Sequence, residues 1–102
     1  MSIASDVTTS SDLVLTGEVD VATSSDLRSE LRKFIDDDPA RTLTIDMSGM
    51  TFIDSTALGV LFGAHCRLQR REGRIRLVDP SPVIRRVLLA TGLDETLLGD
   101  GG

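Results

Sequence analysis

The chain has 102 residues and a net charge of −5 at neutral pH, a length that suits one small domain with one core, so we expect a single domain over residues 1–102. An isoelectric point near 4.6 argues against nucleic acid as a partner, because binding to a phosphate backbone depends on clustered positive charge. The single cysteine, Cys66, excludes an internal disulfide and a cysteine-based zinc cage. No apolar stretch reaches the roughly 20 residues that span a bilayer, and the first residues lack a secretory signal, so we expect a cytoplasmic protein without a membrane partner.

The first residues of the chain predict two strands. Residues 12–20, DLVLTGEVD, alternate apolar and polar side chains, a pattern that is typical of a half-buried strand. Ile3 and Val7 predict an edge strand before it, with residues 8–11 as the connection.

A helix is predicted after the second strand. Thr23, Ser24 and Ser25 are candidate N-caps, and Pro39 is expected to end the helix because the residue before a proline avoids the α region. Apolar residues recur at helical spacing and predict one buried stripe, formed by Leu27, Leu31, Phe34 and Ile35.

The middle of the chain predicts a strand, a turn and a second helix. Residues 41–47, RTLTIDM, alternate and predict the strand, while Ser48-Gly49 predicts a turn directly after it. The helix is expected over residues 55–71, closed by Glu72-Gly73. Its predicted inner face consists of Leu58, Leu61, Phe62, His65 and Leu68.

The last third of the chain predicts a strand over residues 74–78 and a third helix. Ser81 is its expected N-cap, Pro82 its first residue, and Gly92 follows its last turn. Val83, Val87 and Leu88 are the expected apolar stripe.

The order of these elements predicts an α/β fold. The strands that begin near residues 42 and 74 are joined by a helix, which requires a parallel, right-handed crossover, whereas the two N-terminal strands are close enough to pair antiparallel. We therefore expect a small mixed β-sheet with flanking helices.

The residues that usually carry catalysis are sparse. His65 lies among apolar residues of a predicted helix and is interpreted as structural, and it is about 15 Å along that helix from Ser55, too far for a catalytic pair. The glycines form no phosphate-binding loop, and we predict neither a metal nor a cofactor. Gly59 and Gly63 either form a groove or pack against the sheet, and we favour packing against the sheet.

Asp54-Ser55-Thr56 stands at the predicted start of the second helix. If Asp54 is the cap, Ser55 and Thr56 occupy the first turn, where unpaired N–H groups and the helix dipole favour an anion such as a phosphate on Ser55. The residues alone leave open that all three serve only to cap the helix.

Three stretches closely resemble the anti-sigma factor antagonists of the STAS family: LTGEVDVATSSDLR (15–28), LTIDMSGMTFIDSTALGVL (43–61) and SPVIRRVLLATGLDETL (81–97). The resemblance spans residues 12–98 and implies a STAS-like mixed sheet flanked by helices. It further implies a regulatory protein without enzymatic activity, which binds an anti-sigma factor, frees the sigma factor for transcription and is released by phosphorylation.

The resemblance also implies the site. The serine after the motif aspartate is Ser55, which is the residue phosphorylated in that family by an anti-sigma factor that is itself a serine kinase, and a PP2C-type phosphatase reverses the reaction. Asp20 is implied to lie near this serine. The residues expected to bind the partner are Asp20, Asp54, Ser55, Thr56, Ala57 and Gly59.

Two departures from the family pattern and one alternative function accompany this prediction. Ala57 stands where many relatives have glycine, which makes the turn bulkier where a kinase would approach. The chain also has a short C-terminal end, so it is either a short member of the family or a shortened version of a longer chain. The alternative is a STAS regulatory or scaffold module (transporter-associated, nucleotide-binding or stressosome-like) without a phosphoserine switch.

Overall fold

Strands and helices alternate along the chain. The computed structural model describes residues 2–4, 12–37 and 42–98. In chain order its elements are β1 (Ser2–Ala4), β2 (Leu13–Val19), α1 (Val21–Asp37), β3 (Thr42–Ile53), α2 (Ser55–Gln69), β4 (Arg74–Val78), α3 (Pro82–Thr91) and α4 (Asp94–Leu98).

The strands form one mixed sheet in the order β1-β2-β3-β4. β1 pairs antiparallel with β2 and places Ile3 opposite Leu15, while β2, β3 and β4 run parallel. The predicted α/β fold with its mixed sheet and parallel crossover is therefore confirmed. Val7, which we assigned to the first strand, lies outside the described residues.

The prediction of a turn at Ser48-Gly49 is wrong, because β3 continues through both residues to Ile53. Parallel pairing with β2 holds this segment extended, with Thr16 opposite Gly49, and two register shifts accommodate the irregular sequence. A Cβ at Gly49 would lie 2.7 Å from Cγ2 of Thr16, so glycine allows the close approach of the two strands here. The glycine that indicated a turn thus serves strand pairing.

The core is aliphatic and is built by the helices against the sheet. The predicted stripe of α1 is confirmed: Leu27 and Leu31 are buried, and Phe34 and Ile35 pack against the core. Two other predictions are wrong. Phe62 is 39% exposed, since the buried face of α2 is centred on Leu61, Ala64 and Leu68.

Val83 is also exposed, and the buried stripe of α3 starts instead at Ile84 and continues to Leu88. Ser81 stands at the predicted N-cap position of α3, but its hydroxyl donates a hydrogen bond of 2.6 Å to the Met50 carbonyl of β3 and makes no cap hydrogen bond to the helix. Gly92 follows the last turn of the helix, as predicted, and it ends the helix in a left-handed conformation with φ 75°. Among the described helices, none is both long enough and apolar enough to cross a bilayer.

Candidate functional site

The ends of two neighbouring parallel strands form the frame of the candidate site. Val19, the last residue of β2, pairs with Ile53, the last residue of β3, and the Asp54 N–H donates to the Val19 carbonyl at 3.2 Å. α1 begins two residues after Val19 and α2 two residues after Ile53, so that one aspartate separates each strand from its helix. Asp20 and Asp54, which the sequence pattern suggested as partner-binding residues, therefore lie side by side at one edge of the sheet.

Asp54 caps α2. Its Oδ1 accepts a hydrogen bond of 2.8 Å from the Ala57 N–H, and its carbonyl accepts the first helical bond from Leu58 at 3.0 Å. The N–H groups of Ser55 and Thr56 have no acceptor among the described residues. Because the helix dipole adds partial positive charge at the same place, this helix start favours an anion.

Ser55 is the first residue of α2 and is exposed. Its hydroxyl forms no hydrogen bond with any described residue, and Thr56 is exposed beside it. The Ser55 hydroxyl is thus free to be approached from solvent, whereas the hydroxyl of Ser81 is already engaged with Met50.

Ala57 and Gly59 occupy different environments. Ala57 is fully buried, so its methyl group packs into the core and lies away from any surface that a partner could contact. Contrary to our expectation, it therefore adds no bulk where a kinase would approach Ser55. Gly59 is exposed and lies one helical turn after Ser55 along α2. Of the predicted partner-binding residues, Ala57 is the one whose side chain the fold removes from the surface.

Asp20 caps α1, and its partner is Thr23. The Thr23 N–H donates to Asp20 Oδ1 at 3.1 Å, and the Asp20 N–H donates to the Thr23 hydroxyl at 3.0 Å, a reciprocal capping box. Our prediction that the helix starts at Thr23–Ser25 is wrong, since α1 begins at Val21 and Ser24 is buried inside it. A side chain that can cap, followed three residues later by a hydroxyl, was the signal that could have located this start.

Two exposed apolar side chains lie at the same edge and were missed by sequence reasoning. Val21, directly after Asp20, is 67% exposed, and Phe52, two residues before Asp54, is 45% exposed. Phe52 is paired in the sheet with Glu18, which is exposed as well. The edge therefore combines apolar contact area with carboxylates, which suits a protein partner.

His65 lies apart from this edge and has a structural role. It is 2% exposed, and its Nδ1 accepts a hydrogen bond of 3.1 Å from the Ile75 N–H, which ties α2 to β4. Burial, followed by the positive charge of Arg74, lowers the pKa of the imidazole below its usual 6.5. Within the described residues, no group of three His, Cys, Asp or Glu side chains is arranged to hold a metal ion.

Gly59 and Gly63 line a groove between α1 and α2. Our preference for packing against the sheet is wrong, because a Cβ at either position would meet no atom within 4 Å. The alternative that we considered, a groove, is what the structure contains.

Comparison with known proteins agrees with this arrangement. Residues 5–99 match the STAS domain family. The chain is 30% identical over 84 residues to an anti-sigma F factor antagonist of Lysinibacillus sphaericus, a match that covers 82% of this chain and 72% of that protein.

Two solved structures have a similar fold. The anti-sigma factor antagonist SpoIIAA in its unphosphorylated form matches with a TM-score of 0.77 and 26% identity, over 94% of this chain and 85% of that one. The Bacillus cell fate determinant SpoIIAA in its phosphorylated form matches with a TM-score of 0.70 and 26% identity, over 94% and 88% of the two chains. The chain belongs to the STAS-domain family of anti-sigma factor antagonists.

Proposed function

We propose that the protein binds an anti-sigma factor when Ser55 is unmodified, frees the sigma factor for transcription in the bacterial cytoplasm, and is released when Ser55 is phosphorylated. The anti-sigma factor is itself the serine kinase in this proposal, and a PP2C-type phosphatase restores the unmodified form. The observation that carries the proposal is the free, exposed Ser55 hydroxyl at the capped start of α2.

The start of α2 is suited to both states of such a switch. A phosphate on Ser55 adds about 1.5 to 2 negative charges at pH 7. The unpaired N–H groups of Ser55 and Thr56 and the helix dipole stabilise this charge, so the domain tolerates it. A structural relative solved in both phosphorylation states supports the same conclusion, since one fold accommodates both forms there.

The partner responds differently from the domain. An interface that includes Ser55 would draw on the exposed Val21 and Phe52 and on the carboxylates Asp20 and Asp54. A phosphate buried there without a compensating positive charge costs several kcal/mol. A loss of about 4 kcal/mol corresponds to a roughly thousandfold weaker complex, which is enough to release the partner.

The catalytic groups belong to the kinase and the phosphatase in this scheme. The protein supplies the hydroxyl that accepts the phosphoryl group, and Asp54 holds the backbone around it through the cap to Ala57. This assignment agrees with the regulatory character of its family.

The decisive experiment combines phosphorylation with binding. The protein is incubated with its anti-sigma factor and magnesium ATP, the modified residue is located by mass spectrometry, and affinities are measured by calorimetry. We expect one phosphate on Ser55, none on Ser55→Ala, and binding of Ser55→Asp that is weaker by about two to three orders of magnitude, since the aspartate mimics part of the added charge.

Thr56→Ala is the matched control, because Thr56 carries another exposed hydroxyl one residue further along α2. It should still receive one phosphate, on Ser55. Phosphate on Thr56 or Ser81, or equal affinity of the modified and unmodified proteins, contradicts the proposal. In that case a STAS module without a phosphoserine switch becomes the better description.

A further inference from the structure

A groove between α1 and α2 begins one helical turn after Ser55 and follows α2. Its volume is about 270 Å³, and it runs from Gly59, one turn after Ser55, to Arg67, a length of about 12 Å at the helical rise per residue. Leu31, Val60 and Ala64 form an apolar floor. None of the residues that line it is acidic.

The two glycines in its wall have no role inside the domain that would explain them. Gly59 and Gly63 lie within α2, where glycine costs about 1 kcal/mol relative to alanine. Neither has a left-handed backbone, and a Cβ at either position would touch nothing within 4 Å. What glycine provides here is open space along the groove.

Three arginines surround this space. Arg28 and Arg32 lie one turn apart on α1, and Arg67 lies at the far end on α2. All three are exposed, and none forms an ion pair with a described residue, the pair Lys33–Glu30 being the one that the described ranges contain. In a protein of net charge −5, the groove is therefore locally positive.

This combination favours a peptide segment over a small anion. The groove lacks the free backbone N–H groups that a phosphate finds at a helix start, because its wall is the interior of two helices, whose N–H groups are already bonded. An apolar floor beside separate guanidinium groups suits a segment that carries both apolar anchors and carboxylates, with which arginine forms paired hydrogen bonds.

We propose that the groove between α1 and α2, with its apolar floor and arginine rim, docks an acidic segment of the anti-sigma factor. The inference rests on the proposed function, since the groove lies on α2, the helix at whose start that partner is proposed to bind. The segment adds affinity at a distance from Ser55, and its contribution is electrostatic and therefore sensitive to salt.

Charge reversal in the unmodified full-length protein tests this. The double variant Arg28→Glu, Arg32→Glu should bind the anti-sigma factor at least about tenfold more weakly at low salt, with the difference shrinking as salt is added. Arg76→Glu, Arg85→Glu is the matched control: both arginines are exposed, neither lines the groove, and the change in charge is the same. Its affinity should stay within about twofold of the wild type. Circular dichroism and thermal unfolding verify that both variants are folded.

A second variant tests the open space of the groove without changing its charge. Gly63→Gln places a good helix former two turns from Ser55, with a side chain long enough to fill the groove. Its melting temperature should rise while its affinity for the anti-sigma factor falls. A lower melting temperature would show that Gly63 serves internal packing, contrary to the inference.

The remaining outcomes distinguish the two proposals. Unchanged affinity of the Arg28→Glu, Arg32→Glu protein overturns the groove inference, and leaves the proposed function standing if Ser55→Asp still weakens binding. Failure of the wild-type protein to bind the anti-sigma factor overturns both. ATP or inorganic phosphate that binds the wild type but not the double variant would assign the groove to a small anion, and likewise overturns the inference.

Discussion

The starts of α1 and α2 share the same capping arrangement, but they differ in whether the nearby hydroxyl is hydrogen-bonded. Each follows the last residue of a parallel strand, and each is capped by an aspartate that binds the N–H three residues later, Asp20 to Thr23 and Asp54 to Ala57. At α1 the nearby hydroxyl belongs to Thr23 and is held in the capping box. At α2 the hydroxyl belongs to Ser55 and is free.

The difference lies in where each helix carries its hydroxyl. In the third helical position, the Thr23 side chain reaches back to the Asp20 backbone and serves stability. In the first position, the Ser55 hydroxyl takes no part in the cap that Asp54 makes with Ala57, and the third position is a buried alanine. One strand-to-helix joint is thus a closed structural cap, and the other presents a group that a second protein can modify.

The largest effect on stability is expected from removing the two aspartate caps. Asp54→Ala and Asp20→Ala should each lower the free energy of unfolding by about 1 kcal/mol, because each removes a side-chain acceptor of a helix N–H. Asp54→Ala should slow the phosphorylation of Ser55 more than Asp20→Ala does, since it loosens the turn that carries this residue. Urea denaturation and a kinase assay measure the two effects.

Asp54→Asn is the control for the first effect, because its amide oxygen keeps the cap, so its stability should stay near that of the wild type. The comparison between the two helix starts fails if Asp20→Ala slows phosphorylation as much as Asp54→Ala does.

A smaller effect is expected from the two threonines near these caps. Thr23→Ala breaks the capping box and should lower the free energy of unfolding by about 0.5 to 1 kcal/mol. Thr56→Ala removes an exposed hydroxyl outside any observed hydrogen bond and should change it by less than about 0.5 kcal/mol. Thermal unfolding of the two variants measures the difference, and equal losses would show that the α2 start is as closed as the α1 start.

The smallest effect on stability at neutral pH is expected from His65 in the middle of α2. A hydrogen bond ties this part of the helix to β4, whereas the hydroxyl at the start of the helix is free. His65 accepts from the Ile75 N–H with its neutral ring, and its pKa is lowered in the folded state. The unfolded chain therefore binds a proton first as the pH falls, so the stability that His65 contributes is complete above its unfolded pKa of 6.5 and declines below it.

His65→Asn should remove this dependence, because its amide oxygen can accept the same hydrogen bond without titrating. Stability measured by urea denaturation between pH 7.5 and about 5.5 should decline for the wild type and stay flatter for the variant, before carboxylates begin to titrate. Equal slopes would mean that the ring is protonated at no cost in the folded protein.

Much of the frame of the site could be predicted from the sequence. The pattern of residues 74–78 and the Ser-Pro and Gly signals around α3 matched the observed bounds, because local periodicity and caps act over a few residues. Asp54 at the start of α2 is of the same kind, because its cap bonds a backbone group only three residues away.

The structural features that depend on contacts between distant parts of the chain could not be predicted from the sequence. Ser48-Gly49 is a good local turn, and only its pairing with Thr16 on β2 keeps β3 extended to Ile53. The stripe of α3 starts at Ile84 rather than Val83, where α3 packs on the core, and the Ser81 hydroxyl before it binds Met50, some 30 residues earlier in the chain.

The sequence alone determined the order in which most strands and helices follow one another and that a serine follows a capping aspartate, since both depend on interactions within a few residues. The tertiary structure decided that β2 and β3 end side by side, which brings Asp20, Val21 and Phe52 to the edge that carries Ser55. It also decided that two glycines and three arginines from separate helices share one groove. The physical reason is that strand pairing and helix packing join residues far apart in the chain, and no local pattern records those contacts.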